Sequence, residues 1–154
     1  MSCVRDIMTV DPFTLSPTAT LAEAMSLLFR HQLSGAPVVD QGELVGIISE
    51  IGMFDVLFDA TLRHAPVADF MTRNVRTVEE PDSLGHVAHM FALYGIRRMP
   101  VMRDGRVVGI ISRRDLLAHA LVCDERTEAL ESFWSVVIDE PLLLPELISA
   151  ASAE

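Results

Sequence analysis

Apolar residues fall at helical spacing in two stretches and at strand density in four others, and the stretches come in the same order twice. Leu21, Ala24, Met25, Leu28 and Phe29 recur on one helical face, predicting a helix over Leu21 to Leu33 whose opening Thr20 and Glu23 have capping-box spacing. Leu84, Val87, Ala88 and Phe91 predict a second helix over Leu84 to Tyr94, with Ser83 as its cap. After the first come "APVVD" and "ELVGIIS", and after the second "MPVMR" and "RVVGIIS". These read as two hairpins, turning at Gln41-Gly42 and Asp104-Gly105. A short extended piece around Thr14 or Thr77 precedes each helix, and a closing helix starts at Ser49 or Ser112. The predicted order is β-α-β-β-α, twice.

The two halves are one pattern at an offset of 63 residues. That shift places Val4 on Val67, Asp6 on Asp69, Met8-Thr9 on Met71-Thr72, Thr14 on Thr77 and Leu21 on Leu84. It also places Pro37-Val38 on Pro100-Val101, and "VGIIS" at Val45–Ser49 on the same letters at Val108–Ser112, without a gap. A register held this long is an internal duplication. The predicted organisation is a first repeat with its linker over 1–66, a second over 67–123, and an acidic amphipathic extension over 124–154. The strands carry Val and Ile on both faces and so need covering on both sides, which two repeats packed through their sheets would provide. The expected class is α+β with a C-terminal helical extension. In that extension Leu130, Phe133, Trp134 and Val137 share one helical stripe against an acidic face. Such a helix either packs back on its own module or dimer, or docks a partner through its aromatic anchors.

Charge changes the picture only when divided along the chain. The net charge of −10 argues against general nucleic-acid binding. From Val67 to Cys123, however, 8 arginines face 6 acids, whereas Val4 to Pro66 has 3 against 8. The chain has no lysine, so each fixed cation is a guanidinium, the group shaped for bidentate contact with phosphate or carboxylate. No apolar run is long enough to span a bilayer, and "MSCVRDIMTV" lacks the order of a signal peptide, so a cytoplasmic protein without membrane insertion is expected. Cys3 and Cys123 have no disulfide or zinc spacing, and His31, His64, His86, His89 and His119 form no metal set. The sequence lacks G-x-S-x-G, H-E-x-x-H, P-loop and Rossmann glycine patterns, so catalytic residues and catalytic cofactors are not expected.

The openings "VRDIMT" and "VADFMT", the segments "FTLSPTATLAEA" and "RTVEEPDSLGHVA", "SGAPVVD" with "IRRMPVM", and the two "GIIS" turns together resemble a tandem pair of cystathionine-β-synthase (CBS) domains, the Bateman module. The resemblance covers about Val4 to Val122. It implies paired sheets leaving two symmetry-related clefts, commonly filled by AMP, ADP, ATP or S-adenosylmethionine, and a tendency to form homodimers. Carried over residue by residue, it makes the second-repeat site Thr77, the base-reading loop Ile96, Arg97, Arg98, Met99 and Pro100, and the pair Ser112 and Asp115 for phosphate and ribose. In the first repeat Thr14, Gly35, Ala36, Pro37 and Ser49 match, but Gly52 stands where the ribose-binding Asp belongs. That cleft is expected to be empty, weak or used differently.

Physical chemistry points to the same asymmetry. A helix N-terminus offers unpaired N–H groups to a phosphate. Asp115 stands in the first turn after Ser112, among Arg97, Arg98, Arg113 and Arg114, which can offset phosphate charge and favour a phosphorylated ligand over S-adenosylmethionine. Ser112-x-x-Asp115 also has plain capping spacing, and the duplicated frame is what turns it into a ligand site. The expected function is a stand-alone adenine-nucleotide sensor acting in trans on an unidentified protein partner. The alternative is a structural adaptor with vestigial clefts that binds through its C-terminal helix. A redox sensor through Cys3 or Cys123 is a third reading.

Overall fold

The structure, a computed structural model, describes residues 2–124. The stripe at Leu130, Phe133, Trp134 and Val137 therefore lies outside the described residues. In chain order the elements are α1 (Val4–Ile7), β1 (Thr9–Val10), α2 (Leu21–Arg30), β2 (Gly35–Asp40) and β3 (Glu43–Ser49). Three short 3₁₀ turns follow, Ile51–Leu57, Ala60–His64 and Val67–Asp69. The chain continues through β4 (Val78–Glu79), α3 (Leu84–Tyr94), β5 (Arg98–Arg103), β6 (Arg106–Ser112) and α4 (Arg113–Asp124). The class is α+β, as expected.

Local chemistry accounts for most of these boundaries. At α2, Thr20 Oγ1 accepts the Glu23 N–H at 3.2 Å and Glu23 Oε2 accepts the Thr20 N–H at 2.8 Å, a complete capping box. The helix stops at Arg30, short of the expected Leu33, because Gln32 turns left-handed (φ 54°) and the Leu33 N–H reaches back to Leu28 O at 2.8 Å. Both hairpins turn where predicted. Gln41 and Gly42 have φ of 50° and 82°, and Asp104 and Gly105 have 52° and 75°. Two positive φ values in succession make the turn whose twist matches paired strands. The extended piece expected at Thr14 is no strand: Leu15 alone bridges Val38, with its N–H on Pro37 O at 3.0 Å.

The duplication reaches into the core. The buried hydrophobic residues of the described chain form repeat-related pairs 63 apart: Val4 and Val67, Leu15 and Val78, Leu21 and Leu84, Ala24 and Val87, Leu28 and Phe91, Ala36 and Met99, Val38 and Val101, Ile48 and Ile111, Met53 and Leu116. Phe29 departs from the expected core face. It is 90% exposed, because Leu21, Ala24 and Leu28 centre the buried stripe and Phe29 falls beyond its edge.

The chain resolves into two compact units. Among the described residues, one takes Ser2–Met8, Val78–Met99 and Ile111–Asp124; the other takes Thr9–Thr77 and Pro100–Ile110. In the first, α1 opens the chain but docks on second-repeat backbone: the Val4 N–H donates to Asp82 O and Arg5 N–H to Glu80 O, both at 3.0 Å, and Cys3 bridges Ser83. In the other, the second repeat's opener docks on the first: the Val67 N–H donates to Ala19 O at 2.7 Å, and Pro66 bridges Thr20. Thr9 pairs with Ile110 and Thr72 with Ile47 in the same way. Each of these contacts is the other shifted by 63. The repeats have exchanged openers.

Strands β1, β6, β5 and β4 neighbour one another in that order in a four-stranded sheet, and β2 with β3 forms a two-stranded one.

Candidate functional site

The turn from β6 into α4 is built by two residues that cap each other. Ser112 Oγ accepts the Asp115 N–H at 3.2 Å, and Asp115 Oδ2 accepts the Ser112 N–H at 2.7 Å and the Ser112 hydroxyl at 2.9 Å. Three bonds between two half-buried residues fix the first turn of an α-helix and hold a carboxylate beside its N-terminus. The carboxylate and the hydroxyl are held in register with each other by these bonds. They are also the groups that a ribose and a phosphate would ask for.

The loop Ile96–Arg97 faces the same turn. The Arg113 N–H donates to Arg97 O at 3.0 Å, and Arg113 Nε donates to Ile96 O at 2.6 Å. Arg97, Arg113 and Arg114 are exposed, and Arg98 is half-buried at the start of β5. Ile96 to Met99, Ser112 and the arginines thus come together within one unit with Asp115. Met99 and Pro100 are buried, so their side chains belong to the core and only backbone is left to offer a ligand. Thr77 and Pro100 fall in the other unit: Thr77 is half-buried immediately before β4, and Pro100 lies inside β5.

The first repeat repeats half of this construction. Ser49 Oγ accepts the Gly52 N–H at 3.4 Å, the counterpart of the Asp115 N–H bond. No side chain on Gly52 can answer the Ser49 N–H. A helix start that lacks this return bond and carries glycine in its first turn, a residue costing about 1 kcal/mol relative to alanine there, has little to nucleate on. The expected closing helix is a 3₁₀ segment over Ile51–Leu57. Thr14 is exposed, and Gly35, Ala36 and Pro37 are buried in β2.

One feature gave no functional signal in the sequence. Met25, Ser26, Leu28, Phe29, Glu50, Met53, Phe54 and Leu57 line an open groove of about 460 Å³ beside α2, and Phe29, Leu57 and Phe58 at or near it are largely exposed. Helical periodicity assigned Phe29 to the core, which hid it. Among the described residues no cluster of three or more His, Cys, Asp or Glu could hold a metal ion, and no helix is long and apolar enough to cross a membrane.

The CBS domain model matches residues 4–59 and 67–122. The CBS domain-containing protein YhcV of Bacillus subtilis is 31% identical over 134 residues, covering 84% of this chain and 94% of that protein. Other curated relatives are longer: the chain spans 23% and 41% of two proteins from Methanocaldococcus jannaschii. Among solved structures, the CBS domain pair of MJ0100 in complex with 5-methylthioadenosine and S-adenosyl-L-methionine superposes with a TM-score of 0.71 at 32% identity, covering 80% of this chain and 98% of that one. CBSX2 from Arabidopsis thaliana in complex with AMP gives 0.72 at 26% identity, covering 80% and 99%.

Proposed function

Because the chain belongs to the CBS-domain family, as a tandem pair, we propose that it is a regulatory module that binds an adenosine-containing ligand in its second repeat and passes the bound state to a separate protein. The observation that carries this reading is the Ser112–Asp115 arrangement at the start of α4, under the Ile96–Arg97 loop and beside three exposed arginines. The relatives solved with AMP and with S-adenosylmethionine support the ligand class. A ribose hydroxyl donating to Asp115 takes the place of the Ser112 hydroxyl, which is then free to donate to a phosphate held at the helix N-terminus. Arg97, Arg98 and Arg114 offset the phosphate charge and make AMP, ADP or ATP the favoured ligands. Regulation follows from differential affinity: a ligand that binds one arrangement of the module more tightly raises its population.

The protein works without catalysis, in the cytoplasm, and as a homodimer, to which the exposed apolar groove around Phe29, Phe54 and Leu57 gives support. One observation favours the adaptor reading: both hydrogen bonds to Asp115 Oδ2 already serve the helix cap.

Calorimetric titration of AMP, ATP and S-adenosylmethionine into wild type and Asp115→Asn separates the two. Asparagine keeps an acceptor for the Ser112 N–H and loses the charge, so the helix start survives while ribose recognition suffers. Saturable binding in wild type, weakened at least about tenfold in the variant, is expected. Ligand at about a hundred times its dissociation constant adds about 2.7 kcal/mol of stability to wild type. Failure of all three to bind would leave Asp115 a capping residue and the adaptor reading in its place.

A further inference from the structure

Arg113 turns both its main chain and its side chain back onto the loop before β5. Between the left-handed Gly95 that ends α3 and the first residue of β5 lie only Ile96 and Arg97, and Arg113 takes the carbonyl of each, at 2.6 Å through Nε and at 3.0 Å through its N–H. The side-chain bond comes from a charged donor and is the stronger kind.

The first repeat shows what is special here. Its Glu50 N–H donates to Ser34 O at 3.0 Å, the same backbone bond shifted by 63. The side-chain bond has no counterpart, because a glutamate side chain has no N–H to donate. Glu50 instead lines the apolar groove beside α2. At this joint the repeats share a backbone bond and differ by one guanidinium.

Pinning two successive carbonyls has a geometric consequence. A planar trans peptide aims its N–H opposite to its C=O, so holding the carbonyls of Ile96 and Arg97 sets the directions of the Arg97 and Arg98 N–H groups. Backbone groups held in advance bind without the entropy cost of ordering a loop.

We infer that Arg113 is a positioning residue, which keeps the Ile96–Arg97 backbone in the shape that recognises the base, and that it does not act as a phosphate-binding cation. The inference rests on the function proposed above and names a part of that site.

Arg113→Gln and Arg113→Met test it, with adenosine and AMP as probes. Glutamine carries an uncharged N–H donor at the branch position of arginine Nε, whereas methionine has similar length and no donor. Thermal melts of both variants establish that they fold. The expected result is that Arg113→Met loses about tenfold in affinity for adenosine and AMP alike, while Arg113→Gln stays within about threefold of wild type for both. Equal losses in the two variants confined to AMP would make Arg113 a phosphate ligand and overturn the inference. So would wild-type affinity in both variants. Wild type that binds neither probe overturns the proposed function itself, and the inference with it.

Discussion

Replacing Gly46 by alanine tests whether an opener really closes against the strand of the other repeat. A Cβ at Gly46 would sit 2.5 Å from Met71 Sδ, 2.8 Å from Met71 Cγ and 2.9 Å from Thr72 O. The methionine can rotate away, but the carbonyl cannot, because Thr72 exchanges two backbone bonds with Ile47, at 2.8 and 2.9 Å. Moving it costs those two bonds, at about 0.5–1.5 kcal/mol each net, together with the about 1–3 kcal/mol typical of overpacking. A destabilisation of roughly 2–6 kcal/mol is expected, a large part of the about 5–15 kcal/mol that holds a domain. Urea denaturation followed by far-UV circular dichroism reads it as a lower midpoint at unchanged slope. The double variant Gly46→Ala, Met71→Ala recovers only a minor share, since the carbonyl clash stays. Gly46→Ala within about 1 kcal/mol of wild type, or full recovery in the double variant, would refute a backbone closure at this position.

Two further outcomes follow from other features. Gln41 pays for a left-handed φ of 50° that asparagine adopts more readily, so Gln41→Asn raises stability by about 0.5–1 kcal/mol, visible as a higher Tm; an unchanged or lower Tm would contradict the turn assignment. The Asp6 carboxyl is held below the usual carboxylate range, first by the Cys3 N–H at 2.8 Å. Its folded pKa is lower than its unfolded one, so its contribution is present above the unfolded value of about 3.9 and fades as pH falls through the folded one. The Tm gap between wild type and Asp6→Ala is therefore full at pH 7 and closes under acid, and a gap unaffected by pH would count against the carboxylate's role.

The hairpin strands β2, β3, β5 and β6, their turns and α3 were legible because each is set by neighbours in sequence: runs of Val and Ile, a Gly at the second turn position, a Ser before the first apolar turn. The family-like pattern at Ser112 and Asp115 could be read the same way, since a three-residue spacing carries it. Two features were not legible in this way. The exchange of openers is invisible in a register of 63, because a linear repeat and an exchanged one have the same sequence symmetry. The first repeat's 3₁₀ segment was hinted at by Gly52, but the missing return bond shows only in three dimensions. The Arg113 brace had one available signal, the Glu50 that occupies its place in the other repeat.

Val4 docks on Asp82 and Val67 on Ala19, so neither repeat holds its own first turn. A half-length chain with a single opener could complete this pattern only by meeting a second copy, in a step that depends on concentration. Joining the halves in one polypeptide makes that encounter internal, at an effective concentration in the millimolar range for a short tether. The peptide bond between the repeats thus does the work of a dissociation constant, and dilution cannot undo the exchange.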